Sequence, residues 1–279
     1  MKILIASALA SCSLMSACAP PQATMKPYQQ VQKELSTGYK VFKPQGNGPF
    51  PTVLFLHGAS DHAWQPGYRK HIEKITNRGY AVVFINSYSS RDLNGPALRG
   101  GSFLPPERAG DIVATLDWLR SQKWSDAERV AALGESHGAT TILDTLVLAP
   151  PAKKPTGLKT LPSGGLGGLK AGVLYYPWCS GPVMGVELIK AVKNDWSANI
   201  GILGLLPDGD TESDVALCFQ ILKRHKDKGL PVEIVHYINA GHSFNHVTDD
   251  HGNQVATFDE KVTEDADRRM LDFLDKYLK

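Results

Sequence analysis

The sequence predicts an α/β fold, a mostly parallel central sheet with helices on both faces, and three observations support it. Short continuous apolar runs recur along the chain, as in strands that are buried on both faces. The segments between the runs carry helical periodicity, and most are long enough for the crossovers that parallel strands require. The predicted strands are residues 51–56, 81–85, 129–133, 171–176, 200–205 and 232–237.

Two helical segments illustrate the periodicity. Ile112, Leu116 and Leu119 share one face of a segment that opens near residue 106. In residues 262–277, apolar side chains recur at spacings of three and four. One sheet of six or more strands accounts for residues 36–279, which we therefore predict to form a single domain.

Composition excludes several classes of protein. The chain has 279 residues, and 42% hydrophobic and 21% charged residues argue against wholesale disorder. The net charge is +2, and no run of basic residues exceeds two, so we expect no nucleic-acid partner. Beyond the N-terminus no segment has the roughly 18 apolar residues of a spanning helix.

The N-terminus has the features of an export signal. Lys2 precedes an apolar stretch, and the motif Leu-Met-Ser-Ala-Cys ends at Cys18. We expect residues 1–17 to be a signal peptide, Cys18 to be lipidated and residues 18–35 to form a solvated tether. This predicts a lipoprotein of the bacterial envelope that is anchored without a transmembrane helix, and Ala19 favours the outer membrane. The alternative is cleavage after Ala19, which would give a soluble secreted or periplasmic protein.

The mature chain keeps two cysteines, Cys179 and Cys218. An even pair in an exported protein suggests one disulfide, and two separate buried thiols are the alternative.

The first candidate catalytic motif is Gly134-Glu135-Ser136-His137-Gly138, which joins a predicted strand to an apolar helix. A serine hydroxyl needs a base and an exposed geometry to act as a nucleophile. A tight strand-to-helix turn exposes it, and the flanking glycines keep side chains out of the turn. Ser136 is therefore the predicted nucleophile.

The base is expected in a loop after a late strand. His242 follows the strand 232–237 in a glycine-containing loop and is the predicted base. A rival interpretation makes His242, His246 and His251, with Asp249 and Asp250, a metal site. The spacing fits no standard zinc pattern, so we predict neither a metal nor a cofactor.

The acid that orients the base is expected after the strand 200–205. Asp210 is the first choice, Asp208 is the second, and Asp214 is also available. The order Ser136, Asp210, His242 is that of α/β-hydrolases. The oxyanion needs two N–H donors, which we assign to the backbones of Ala59 and His137.

These motifs resemble the dienelactone hydrolase family of α/β-hydrolases over most of residues 50–278. The resemblance is carried by Leu56-His57-Gly58, the segment 84–88 with Arg91, Gly134 to Gly138, Tyr175-Tyr176-Pro177, Asp210 and His242-Ser243-Phe244. Cys179 and Cys218 match a cysteine pair of exported members. The founding enzymes use a cysteine nucleophile, whereas this chain has Ser136.

The resemblance implies hydrolysis of a small carboxylic ester, or a lactone, through an acyl-enzyme. Trp64, Tyr88, Trp178 and Phe244 are candidates for an aromatic pocket, with core packing as the alternative. Arg91 could bind a substrate carboxylate or form a structural ion pair. Two other functions stay open: a peptidase or acyltransferase using the same triad, and an inactive surface-binding lipoprotein. The natural substrate and the oligomeric state are left open.

Overall fold

The computed structural model describes residues 25–99, 103–148, 158–183, 186–190, 195–249 and 251–279; for residues 181–183 and 186–190 it describes the backbone. The predicted signal peptide and Cys18 lie outside these residues. The strands are β1 Lys40–Phe42, β2 Phe50–Leu56, β3 Ala81–Ile85, β4 Ser125–Glu135, β5 Leu169–Tyr175, β6 Ser180–Val183, β7 Val186–Lys190, β8 Gly201–Pro207 and β9 Val232–Tyr237. The helices are α1 Tyr28–Ser36, α2 Pro66–Asn77, α3 Gly95–Arg99, α4 Pro105–Leu119, α5 His137–Leu146, α6 Val215–Asp227 and α7 Glu260–Leu278.

Seven strands form one sheet in the order β1-β3-β2-β4-β5-β8-β9, and β6 and β7 form a separate hairpin. Within the large sheet, β1 pairs antiparallel with β3 and every other pairing is parallel. The mostly parallel α/β fold predicted from the sequence is confirmed. All six predicted strands are present, and β4 is longer than predicted because it begins at Ser125.

Two apolar cores lie on opposite faces of the sheet. Successive side chains of a strand point to opposite faces, so Leu54 and Leu56 of β2 enter one core while Val53 and Phe55 enter the other. Helices α1, α4, α5 and α6 cover the first face, and α2 and α7 cover the second. Burial on both faces explains why these strands are continuously apolar in sequence.

The N-terminal segment differs from its prediction. The tether predicted for residues 18–35 is wrong from Tyr28 onward, because α1 is docked against the domain. Val31 and Leu35 are four residues apart on one helical face, and both are buried. Gln32 Nε2 donates to Ala114 O and to Asp117 Oδ2 of α4, at 3.2 and 2.9 Å. The folded domain therefore includes residues before 36, the position at which it was predicted to begin.

The six parallel strands place their following loops at one edge of the sheet, at the carboxyl ends of β2, β3, β4, β5, β8 and β9. These loops carry the candidate catalytic residues, as expected for ligand sites in open α/β sheets. None of the helices in the described part of the chain has the length and apolar character needed to cross a membrane.

Candidate active site

Ser136 occupies a strained turn between β4 and α5. Its backbone has φ 51° and ψ −118°, a conformation that a non-glycine residue rarely adopts. A Cβ at Gly134 would lie 2.5 Å from the backbone of Gly138, and a Cβ at Gly138 would clash with the carbonyl oxygen of Leu56. The two glycines are therefore required by close approach of the backbone, and the turn presents the serine hydroxyl at the edge of the sheet.

Ser136, His242 and Asp210 are joined by hydrogen bonds. His242 Nδ1 lies 2.7 Å from Asp210 Oδ2, and His242 Nε2 lies 3.0 Å from Ser136 Oγ. A carboxylate can only accept, so the proton of the imidazole sits on Nδ1 and Nε2 is free to accept from the serine hydroxyl. The side chains of His242 and Asp210 are both buried. The structure thus brings together all three residues predicted as a triad, and their catalytic roles remain predictions.

The loop after β8 distinguishes between the candidate aspartates. The other carboxylate oxygen of Asp210, Oδ1, accepts from the N–H groups of Glu212 and Ser213, at 2.8 and 3.1 Å. Asp208 is exposed and pairs with His236, and Asp214 caps α6 by accepting from Leu217 N–H. Asp210 is therefore the aspartate that contacts the predicted base.

A cavity of about 500 Å³ opens in front of Ser136. Its wall includes both residues predicted to supply oxyanion donors, Ala59 and His137. Apolar and aromatic side chains contribute further surface, together with a few polar groups: Gln65, Tyr68, Leu98, Arg99, Leu104, Pro105, Tyr176, Trp178, Thr211 and Glu212. A small organic molecule with an apolar part fits a cavity of this size and composition.

Only one of the four predicted pocket aromatics, Trp178, lines this cavity. Phe244 is buried against Tyr175, Tyr176 and Tyr237 in the core. Trp64 packs on Phe84 and Phe42, and the Tyr88 hydroxyl donates to Ser60 O at 2.9 Å. For Trp64, Tyr88 and Phe244, core packing is therefore what the structure shows.

Arg91 forms an ion pair with the buried carboxylate of Asp111. Phe103 also packs against its guanidinium, with 4.5 Å between Arg91 Cζ and the ring centroid. Arg91 does not line the cavity. The structure therefore gives it the structural ion pair rather than the substrate contact.

The predicted disulfide is present between Cys179 and Cys218, with 5.4 Å between the Cα atoms. It joins the loop after β5, which carries Trp178, to α6, which follows the loop of Asp210. Ser213 reinforces this junction, because its hydroxyl donates to Pro177 O at 2.8 Å and accepts from Cys179 N–H at 3.1 Å. The disulfide therefore fixes a wall of the cavity relative to the aspartate loop.

The residues of the rival metal interpretation have separate partners. His246 Nε2 lies 2.7 Å from Glu135 Oε2, whereas His251 Nε2 lies 3.2 Å from Asp61 Oδ2 at the surface. Asp250 lies outside the described residues. Among residues that the structure does describe, no three His, Cys, Asp or Glu side chains are grouped as a metal ion requires.

Glu135, the residue before Ser136, is buried, and its role in the site was not predicted from the sequence. Glu135 accepts from the Tyr176 hydroxyl at 2.7 Å and from Asn245 Nδ2 at 3.0 Å, in addition to its contact with His246. Burial acts to raise the pKa of Glu135, but His246 and His71 lower it below its usual range. Glu135 therefore connects the strand that precedes the predicted nucleophile to the loop that follows the predicted base.

Comparisons with known proteins agree with this geometry. Residues 158–278 match the model of the dienelactone hydrolase family, and residues 37–160 match that of the X-Pro dipeptidyl-peptidase (S15) family. A Klebsiella pneumoniae structure provisionally assigned as a dienelactone hydrolase is 19% identical, with a TM-score of 0.64 over 86% of this chain and 92% of that chain. The chain therefore has the α/β-hydrolase fold, and over residues 158–278 it is similar to the dienelactone hydrolase family.

Two further proteins that resemble the chain extend the comparison. Thermogutta terrifontis esterase 2, in a structure phosphonylated by cyclosarin, is 15% identical, with a TM-score of 0.59 over 92% of this chain and 95% of that chain. Dipeptidyl aminopeptidase BIII of Pseudoxanthomonas mexicana is 29% identical over 112 residues, which are 39% of this chain. The match covers only 16% of that peptidase. Both matched family models describe hydrolases.

Proposed function

We propose that the protein hydrolyses carboxylic esters, lactones included, through an acyl-enzyme formed on Ser136. The observation that carries this proposal is the unbroken hydrogen-bond chain from Asp210 through His242 to Ser136, which ends at the mouth of the cavity. That chain contains a nucleophile, a base and an acid in the geometry that acyl transfer needs.

In the proposed mechanism, Ser136 Oγ attacks the ester carbonyl carbon while His242 Nε2 takes the hydroxyl proton. Asp210 holds the imidazole and stabilises the imidazolium that forms. The N–H groups of Ala59 and His137 bind the oxyanion. His242 then gives its proton to the leaving alcohol, and a water activated by His242 releases the acid and restores Ser136.

A fluorophosphonate probe tests the activated serine directly, since it reacts with serine nucleophiles that have a working base. Wild-type protein should be labelled with one probe per chain and should cleave short p-nitrophenyl esters. Ser136→Ala and His242→Ala should not be labelled, and their kcat for the ester should be lower by a factor of about 10³ or more. Ser36→Ala, at the end of α1, serves as the matched serine control and should behave as wild type. A folded wild-type protein that takes no label would contradict the proposal.

A second candidate, cleavage of short peptides by the same triad, is favoured by the match to the X-Pro dipeptidyl-peptidase model and by the similar stretch of dipeptidyl aminopeptidase BIII. Comparing kcat/KM for p-nitrophenyl esters and for aminoacyl and dipeptidyl p-nitroanilides distinguishes the two. We expect the esters to be preferred by a factor of at least about 10², and a preference for the anilides would replace the ester proposal.

We further propose that export and lipidation at Cys18 place the enzyme at the bacterial envelope. The support is the motif that ends at Cys18 together with the disulfide, because disulfides persist in oxidising compartments. In a bacterial host, labelled palmitate should be incorporated into the full chain but not into Cys18→Ser. Release of the wild-type protein without lipid would instead support the soluble alternative.

A further inference from the structure

Arg108, in the first turn of α4, is a fully buried arginine behind the proposed oxyanion hole. Its Nη1 donates to His57 O at 2.8 Å and lies 3.3 Å from His137 Nδ1. Its Nε donates to Ser87 Oγ at 2.9 Å. The guanidinium therefore bridges the loop after β2 and the turn that carries Ser136, and all three of these partners are neutral.

Among the described residues, no carboxylate forms a hydrogen bond or an ion pair with Arg108. Asp111 supports it electrostatically, but that carboxylate is hydrogen-bonded to Arg91 and to the Ser87 hydroxyl. Two guanidinium groups thus share one carboxylate, and Arg108 Nη2 has no hydrogen-bond partner among the described residues. Burying a cation that is not fully paired is costly, so its retention at this place calls for a reason.

His57 shows how the arrangement reaches the first oxyanion donor. His57 Nε2 accepts from the backbone N–H of Ser87 at 3.3 Å, so the proton is on Nδ1, which donates to Gly58 O at 2.7 Å. The Gly58 carbonyl shares its peptide group with the N–H of Ala59. Donation to that carbonyl fixes the peptide plane and polarises the N–H. Arg108 holds the preceding carbonyl, that of His57, and so fixes the start of the same loop.

His137 connects Arg108 to the second donor. Arginine can only donate, so Nδ1 of His137 is the acceptor in this contact and the imidazole is neutral. Burial and the adjacent Arg108 cation lower the pKa of His137 to about 3, which agrees with a neutral ring. The backbone N–H of this residue is the other proposed oxyanion donor. One guanidinium therefore contacts the residue or the loop of each donor.

We propose that Arg108 is a positioning residue that holds the Ala59 and His137 donors in register and places positive charge behind the oxyanion. The proposal rests on the ester hydrolase function proposed above. Negative charge develops on the carbonyl oxygen only as the tetrahedral intermediate forms, so both effects act on the transition state rather than on the bound ester.

The test compares Arg108→Met, Arg108→Lys and Ser87→Ala with wild type, using one p-nitrophenyl ester and a trifluoromethyl ketone that forms a tetrahedral adduct with serine. Loss of one direct oxyanion donor costs about 10² to 10³ in kcat, and Arg108 acts indirectly, so Arg108→Met should lower kcat by about 10- to 100-fold. KM should stay within about twofold, and affinity for the ketone should fall by the same factor as kcat. Arg108→Lys keeps the charge and should recover part of the loss.

A matched variant on the same helix separates positioning from stability. Leu116→Ala removes a buried side chain of α4 that packs in the core between α4 and the sheet. This variant should have a lower melting temperature and an unchanged kcat when folded. Folded Arg108→Met with wild-type kcat, or with a loss confined to KM, would overturn the inference.

Ser87→Ala decides the question if both Arg108 variants fail to fold, since it removes one hydrogen bond to the guanidinium and keeps the charge. It should lower kcat about threefold or more at unchanged KM, by analogy with the loss of a direct donor. An unchanged kcat in that variant would contradict the inference. Failure of the proposed function itself is distinguishable, because the wild-type protein would then neither take the fluorophosphonate label nor cleave the ester.

Discussion

His71 Nε2 lies 2.9 Å from Asp267 Oδ1, so that α2 and α7 are joined by an ion pair whose two side chains are both buried. The other ring nitrogen, Nδ1, lies 3.4 Å from Glu135 Oε1. Burial alone would lower the pKa of His71, but Asp267 and Glu135 raise it to about 10. The imidazolium of His71 therefore links the second core of the sheet to the carboxylate beside Ser136.

The first prediction concerns stability above neutral pH. A histidine whose pKa is raised on folding contributes stability that is complete below its ordinary pKa of 6.5 and is lost as pH rises towards 10. We expect the free energy of unfolding of the wild-type protein to fall between about pH 7 and 10 by more than that of His71→Gln. Urea unfolding at several pH values measures this difference. The control is His236→Gln, which removes an exposed histidine and should keep the wild-type slope.

In acid, the free energy of unfolding should fall as pH is lowered, because Asp267 becomes protonated. Burial acts to raise the pKa of Asp267, but His71 and Lys74 lower it to about 2. Its contribution is therefore present above about pH 4 and is lost as pH falls through the folded-state pKa. For the alkaline prediction, the contradicting result is a free energy of unfolding that changes equally with pH in wild type and in His71→Gln between about pH 7 and 10. That result would show that the ion pair does not form in solution.

A second prediction follows from the close approach at Gly138. A Cβ there would clash with Leu56 O, at the end of β2, and would lie 2.7 Å from His57 O, at the start of the loop that carries the proposed donor Ala59. Gly138→Ala should lower kcat by about 10² or more, because a small misplacement of catalytic groups has large effects on rate. The comparison is Gly229→Ala, where φ is +83° and no atom lies near the added methyl. It should cost about 1 to 2 kcal/mol of stability and leave kcat unchanged.

Reduction of the disulfide gives a third prediction. Cys179 and Cys218 are separated by 39 residues, and closing such a loop contributes about 4 kcal/mol in the chain-entropy model. Dithiothreitol should lower the melting temperature of the wild-type protein, and kcat should fall because Trp178 and the Asp210 loop lose their covalent connection. Cys179→Ala/Cys218→Ala should start at the lower melting temperature and should not respond to the reductant. A response in that double variant would assign the effect to something other than this bond.

The docked helix α1 provides a fourth prediction. Leu35 is fully buried against the core, so Leu35→Ala should destabilise the protein by about 2 to 4 kcal/mol. Gln29→Ala, on the exposed side of the same helix, should stay within about 0.5 kcal/mol of wild type. Denaturant unfolding measures both. Equal stabilities for the two variants would mean that α1 is not docked in solution.

Much of the sheet could be predicted because its central strands are buried on both faces and therefore read as apolar runs. Strand β1 was not predicted, since it is an edge strand of three residues, two of them exposed, and leaves no such run. Helix α1 was missed for a related reason. Its buried face consists of only Val31 and Leu35 among polar residues, so its docking depends on the surface that α4 provides.

In the candidate site, too, local features could be predicted from the sequence, whereas contacts between distant segments could not. The turn at Ser136 was predictable because its requirements are local: a strand, two glycines and a helix. The choice among three aspartates depended on which one reaches His242, a relationship between segments that are distant in sequence. Arg108 could not be identified in advance, because a charged residue in the first turn of a helix is ordinarily exposed. Its burial arises only where β2, α4 and the turn at Ser136 meet.

The position of α1 also limits how far the folded domain could move if Cys18 carries the proposed lipid. The backbone carbonyl of Lys26 accepts from Lys159 N–H at 2.8 Å, so the chain is already attached to the domain at residue 26. Eight residue steps separate Cys18 from Lys26, and a fully extended chain spans at most about 29 Å over that distance. A tether this short would keep the folded domain beside the bilayer and would favour substrates that collect at the lipid surface.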